Sequence, residues 1–140
     1  PLWSIAHRDR TGVTNLMKAM NVAARSADQP VGALSGGNQQ KVMIGRWINS
    51  GVDILLIEEP TRGVDVGAKA EIYRLLRKFA ADGGAVLITS SEMTEHLGIC
   101  DRILVVREGA IVAELDGATA KEEQVARYAL MGNTEAKKSA

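Results

Sequence analysis

At 140 residues the chain is about one domain long, and its 17 basic residues balance 17 acidic ones, which excludes a global field that would draw it to nucleic acid or anionic lipid. Hydrophobic residues make up 46% of it, but they fall in short bursts such as Ile54-Leu55-Leu56-Ile57, far below the roughly 20 consecutive apolar residues that cross a bilayer. The single Cys100 excludes an internal disulfide, and without a charged-then-apolar leader the sequence points to a soluble protein in a reducing, cytoplasmic setting.

The opening Pro1-Leu2-Trp3 reads as a cut from a longer gene product. From residue 14 to about residue 25, Leu16, Met17, Met20, Ala23 and Ala24 recur at helical spacing, predicting an amphipathic helix closed by Asp28-Gln29-Pro30. A second helix is predicted behind Ser35-Gly36-Gly37. Val42, Ile44, Trp47 and Ile48 form its buried face, Gln40 and Lys41 look outward, and Asn49-Ser50-Gly51 ends it. Residues 53–57 read as a strand buried on both faces, with Glu58 and Glu59 at its tip. A helix over 68–81 carries Ile72, Leu75, Leu76, Phe79 and Ala80 on one stripe and stops at Gly83-Gly84. Residues 85–89 read as a second buried strand, so strand, helix and strand make a right-handed unit with the two strands parallel.

A shorter helix is predicted over 92–97, capped by Ser90 or Ser91. Residues 102–106 form a third strand, which turns at Glu108-Gly109 into Ile111-Val112-Ala113 as a hairpin. Thr119 and Glu122 have the spacing of a capping box opening a last helix, with Val125, Tyr128 and Ala129 inward. Residues 133–140 read as a disordered polar tail.

Two stretches carry chemistry. In Leu34-Ser35-Gly36-Gly37-Asn38-Gln39-Gln40 a serine and two glycines precede a helix. Bare N–H groups, the positive end of the helix dipole and a hydroxyl make such a turn able to hold a phosphate, although an ordinary Ser-Gly-Gly cap has the same sequence. Glu58 and Glu59 lie at the carboxyl edge of a parallel sheet, where ligands of α/β proteins bind. One of two adjacent carboxylates can hold magnesium while the other polarises a water, and equally the pair can be a solvated strand end before Pro60.

The order and spacing of residues 34–40, 54–60 and Gly63-Val64-Asp65 resemble three motifs of ATP-binding-cassette (ABC) ATPases: the signature loop, the Walker B strand and the D-loop. The run Glu59-Pro60-Thr61-Arg62-Gly63-Val64-Asp65-Val66-Gly67-Ala68-Lys69, followed by Ser90-Ser91-Glu92-Met93, is similar to the second cassette of ribose, xylose and galactose importers. The resemblance implies that Ser35, Gly36 and Gly37 contact the γ-phosphate of an ATP held by an opposing cassette, with Gln39 lining the loop. It implies that Glu59 activates the attacking water, that Glu58 stands at the magnesium position, and that Asp65 links the two ATP sites.

Three departures qualify it. Glu58 replaces the usual Walker B aspartate and sets its carboxylate about 1.5 Å further out, one C–C bond, which magnesium geometry tolerates poorly. Ser91, ten residues before Asp101, stands where most cassettes carry a switch histidine, and a hydroxyl cannot carry an imidazole's charge. The phosphate loop Gly-x-x-x-x-Gly-Lys-Ser/Thr does not occur in the 140 residues. The expectation is a partial P-loop NTPase fold of the α/β class, a parallel sheet flanked by helices. Residues 1–50 form part of the helical subdomain, 51–132 part of the ATPase core with a small hairpin, and 133–140 a tail. The simplest reading is a chain cut inside the helical subdomain that keeps its native carboxyl end. The complete protein is expected to be a sugar-transporting ATPase using ATP and Mg²⁺, and this chain alone is expected to bind neither and to be inactive. Expected partners are a second cassette in the same polypeptide, transmembrane permease subunits and, indirectly, a periplasmic sugar-binding protein, at the cytoplasmic face of the bacterial inner membrane.

A competing reading is a non-catalytic module that presents a signature loop to a partner cassette. A cassette of DNA repair or translation would need basic surfaces and long coiled-coil insertions, which the sequence lacks. His7 and His96 are far apart and without cysteine company, Trp3 and Trp47 read as packing residues, Arg107-Glu108-Gly109 as a plain turn, and Lys137-Lys138 as a solvated tail.

Overall fold

The structure, a computed structural model, describes residues 10–136, with side chains from 12 to 131. The expectations on Pro1-Leu2-Trp3, His7 and Lys137-Lys138 lie outside the described residues. The chain divides into two compact units that meet in sequence between Thr89 and Ser90.

The first unit opens with helix α1, Arg10–Ala19, which stops well before the expected residue 25. Asn21 takes a left-handed φ of 50°, while the N–H of Val22 reaches Met17 O at 2.8 Å and that of Asn21 reaches Lys18 O at 3.0 Å. This is the helix-ending motif normally built on glycine, here on asparagine, which tolerates that conformation. A 3-10 turn at Val31–Ala33 leads into helix α2, Gly36–Asn49. Ile44 is buried on α2 as expected, and Met20 packs so closely over Gly45 that a Cβ there would lie 2.0 Å from its sulfur. The outward and inward faces differ from expectation at two positions. Lys41 is 4% exposed, and Trp47 is 54% exposed.

Strand β1, Ile54–Glu58, and strand β2, Ala85–Thr89, pair in parallel with Leu55 opposite Val86 and Glu58 opposite Thr89. Helix α3, Val66–Ala81, connects them and packs against β2 and α2. Its Ile72 and Leu76 are buried, as is Leu55, whereas Ala80 from the expected inner stripe is exposed. The strands are not buried on both faces. Ile54, Leu56 and Leu87 are 64%, 75% and 54% exposed, because alternate side chains of a strand point to opposite sides and only one side meets α3.

The second unit holds helix α4, Met93–Ile99, strands β3, Arg102–Arg107, and β4, Ala110–Asp116, and helix α5, Glu122–Ala136. β3 and β4 are antiparallel and joined by Glu108-Gly109, with φ of 52° and 79°. Two consecutive left-handed residues twist the chain as a two-residue hairpin requires. Ile103, Val105 and Val125 form the core, with Leu97, Val112, Leu115 and Tyr128 packed around them.

Both helix starts differ from expectation. Ser90 Oγ accepts from Glu92 N at 3.1 Å, so it closes a turn, and α4 follows Glu92 without a side-chain cap. Asp116 Oδ1 accepts from Ala118 N at 2.8 Å and Asp116 O from Thr119 N at 3.2 Å, which draws Thr119 into the turn after β4. α5 instead starts two residues later than expected, at Glu122, where Lys121 N donates to Gln124 Oε1 at 2.9 Å, one half of a capping box. The helix runs to Ala136, into the expected tail, and Ala129 is exposed rather than inward. Among the described residues no helix is long and apolar enough to cross a membrane.

Candidate functional site

The turn before α2 is built by its own side chains. Ser35 stands at the cap position in extended conformation, yet its side chain makes no capping bond to a backbone N–H of the helix. Its Oγ accepts from Asn38 Nδ2 at 2.8 Å, and Asn38 Oδ1 accepts from Ala23 N at 2.9 Å. Gln39 turns back on the loop, Nε2 donating to Leu34 O at 2.8 Å. Ser35 and Gly36 are exposed, so the entry to α2, where the positive end of its dipole lies, is at the surface.

Gly37 is buried for a different reason. A Cβ on it would lie 2.4 Å from Ala68 Cβ and 3.9 Å from Val64 Cβ, and one on Gly36 would lie 3.7 Å from Gly63 O. Gly37 therefore lets the start of α2 press on the segment 63–68, with Gly36 in ordinary contact beside it, which brings the first and third motifs together. Asp65, in that segment, caps α3 by accepting from Ala68 N at 2.9 Å. Its position just ahead of a helix was a readable capping signal.

Glu58 is exposed at the end of β1, and Glu59 follows it off the strand. Glu59 has a left-handed φ of 48°, unusual for a side chain without a short polar group, and its N–H donates to Thr89 O at 2.8 Å. That bond continues the ladder one step past the strands, at the point where the backbone leaves the strand conformation. Pro60 and Thr61 behind them are fully buried, and Thr61 Oγ1 lies 3.4 Å from Tyr73 OH, which ties the turn to α3. Ser91 is exposed and lies in the second unit.

The network that sequence reasoning missed joins α2 to α3. Lys41 Nζ donates to Glu71 Oε2 at 2.6 Å and also to Asn21 O, and Asn21 Nδ2 donates to Glu71 Oε1 at 2.7 Å. The Lys41 ammonium and then the Asn21 amide hold the Glu71 carboxyl below its usual value. Lys41, Glu71 and Asn21 are 20 to 50 residues apart pairwise, so no local pattern announces them. His96 Nε2 lies 2.9 Å from Ser90 O, within its own unit. Among the described residues no group of three His, Cys, Asp or Glu side chains could hold a metal ion by itself.

The chain is 50% identical over 128 residues to a ribose import ATP-binding protein of Rhizobium meliloti, covering 91% of this chain and 25% of that protein. It is 46% identical over 128 residues to an arabinose import ATP-binding protein of Vibrio parahaemolyticus, with the same coverage of 91% and 25%. The chain thus spans about a quarter of the length of these curated relatives. Among solved structures it resembles a dimeric ATP-binding cassette in a post-hydrolysis state bound to ADP and phosphate, with a TM-score of 0.64 and 27% identity over 78% of this chain and 46% of that one. A nucleotide-free cassette from an ABC transporter gives a TM-score of 0.65 and 26% identity over 88% and 45% of the two chains. No protein-family model matches the chain.

Proposed function

Since the chain belongs to the ATP-binding-cassette ATPases, we propose that it supplies the signature loop, Walker B strand and D-loop of the second cassette of a sugar importer, with residues 1–50 in the helical subdomain and 51–132 in the ATPase core. The observation that carries this reading is the packing of the Ser35-Gly36-Gly37 turn on segment 63–68, just beyond the two carboxylates that leave a parallel strand. The exposed Ser35 and Gly36 would meet the γ-phosphate of an ATP gripped by the other cassette, and Gln39 would support the loop from behind. Glu59 would take a proton from the attacking water, and Asp65 would sit between the two composite sites. Magnesium takes oxygen ligands and neutralises phosphate charge, and the Glu58 carboxylate is the ligand this chain would offer it, alongside oxygens of the nucleotide. In the complete protein the remainder of the cassette would cover the open face of β1 and β2. Permease subunits, a periplasmic sugar-binding protein and the cytoplasmic face of the inner membrane complete the setting, with a monosaccharide as cargo.

Glu59→Gln in the complete protein should leave ATP binding intact and remove at least about 100-fold of the hydrolysis rate at this site, the scale of general-base catalysis. Measurement of single-turnover hydrolysis decides it; an unchanged rate would overturn the assignment. A second reading, a cassette half that presents its signature loop without hydrolysing at its own site, is favoured by Glu58 and Ser91 standing where aspartate and histidine are usual. It requires that Ser35→Ala slow transport while Glu59→Gln leaves it unchanged.

A further inference from the structure

Asn38 follows the glycine pair, and its side chain faces two ways. The oxygen accepts the backbone N–H of Ala23, and the NH2 donates to Ser35 Oγ. The first bond dictates the second. A backbone N–H can only donate, so the amide oxygen must face Ala23 and its NH2 must face the serine. Ser35 Oγ is therefore an acceptor on its inner side, and its one proton is not used to bond Asn38. Ser35 also makes no bond to the N–H groups of α2, where it would again be an acceptor. The hydroxyl proton is left to donate on the exposed side of the turn.

We propose that Asn38 is a positioning residue that sets the polarity of Ser35, holding the hydroxyl as a donor toward an anionic oxygen; this rests on the reading of Ser35 as a phosphate contact. A phosphate oxygen at neutral pH accepts and does not donate, so a serine that spent its proton inward would present lone pairs to negative charge. Asn38 prevents that. Ala23, its anchor, lies two residues beyond Asn21, whose carbonyl and amide are held by Lys41 and Glu71. The segment that orients Asn38 is thus fastened to both α2 and α3.

The test is a double-mutant cycle in the complete ATPase, read as kcat and KM for ATP. Ser35→Ala should lower kcat/KM about ten-fold or more, the loss expected for one charge-assisted hydrogen bond. Asn38→Asp keeps the acceptor for Ala23 but cannot donate, so the serine turns its proton inward, and a loss close to that of Ser35→Ala is expected. Asn38→Ala frees the hydroxyl in both directions and should cost less than Asn38→Asp. In the Ser35→Ala background, Asn38→Asp should cost clearly less than it does in the parent, because only the aspartate's own charge is left to act; that charge acts in both backgrounds and cancels in the coupling term of the cycle. A full multiplicative loss in the double variant would overturn the inference while leaving Ser35 as a phosphate contact. An unaffected Ser35→Ala enzyme would overturn both. Thermal unfolding supplies the remaining check. If Asn38→Ala is as slow as Asn38→Asp and both melt at equally lowered temperatures, Asn38 is only a loop tether and the proposal fails.

Discussion

Lys41, 4% exposed in the middle of α2, donates to Glu71 of α3 at 2.6 Å, and a lysine that sequence periodicity places in solvent is instead the link between the two helices. Glu71 is the more open partner, with its side chain 25% exposed. Removing one partner leaves the other charge desolvated, so Glu71→Gln should destabilise the fold by about 2 kcal/mol, below the figure for a wholly buried pair. Urea unfolding of parent and variant measures it. A difference within error would show that the pair contributes no net stability.

The same pair sets an acid limit. Lys41 first and Asn21 second lower the pKa of Glu71 in the folded state from 4.5. A carboxylate with a depressed folded pKa adds stability above its unfolded pKa and loses it as pH falls through the folded value. The stability gap between the parent and Glu71→Gln should accordingly be level above about pH 5 and shrink as pH falls below 4.5. A gap that widens in acid would contradict the assignment.

Gly37→Ala should open the contact between α2 and α3. The new methyl would meet Ala68 Cβ at 2.4 Å, and neither atom lies on a flexible side chain that could move aside. Overpacking of this kind costs about 1–3 kcal/mol. Ala68→Gly in the same chain should restore part of the loss, which thermal unfolding of the single and double variants would show. Independent, additive losses would mean that the two residues do not meet.

Asp65→Ala removes the acceptor for Ala68 N and should destabilise α3 by about 1 kcal/mol, whereas Asp65→Asn, another good cap, should cost a few tenths. Circular dichroism melts of this chain separate that capping role from any role at a nucleotide. A complete protein in which Asp65→Asn abolished hydrolysis while keeping the melting temperature would show both roles in one residue.

What could be read in advance follows from how local the cause is. The strand at 85–89, the turn at Glu108-Gly109 and the helix behind Ser35-Gly36-Gly37 depend on neighbours in sequence, and the structure has all three. Asn21 ended α1 early because asparagine took the left-handed position that the pattern reserved for a later breaker. Lys41 defied its helical face because its partner is 30 residues away. The motif residues were legible by resemblance, but their supports were not. Nothing in the order of letters says that Gly37 is small because Ala68 is there, or that Asn38 reaches back to Ala23.

The uncovered side of β1 and β2 has a practical consequence. Ile54, Leu56 and Leu87 offer water a continuous aliphatic surface, and burying surface of that kind is worth about 25 cal/mol per Å² wherever an apolar molecule can reach it. In a test tube this chain by itself should brighten anilinonaphthalene dyes and scatter more light as it is concentrated. Replacing Leu56 with lysine should quiet both signals without unfolding the helices beneath.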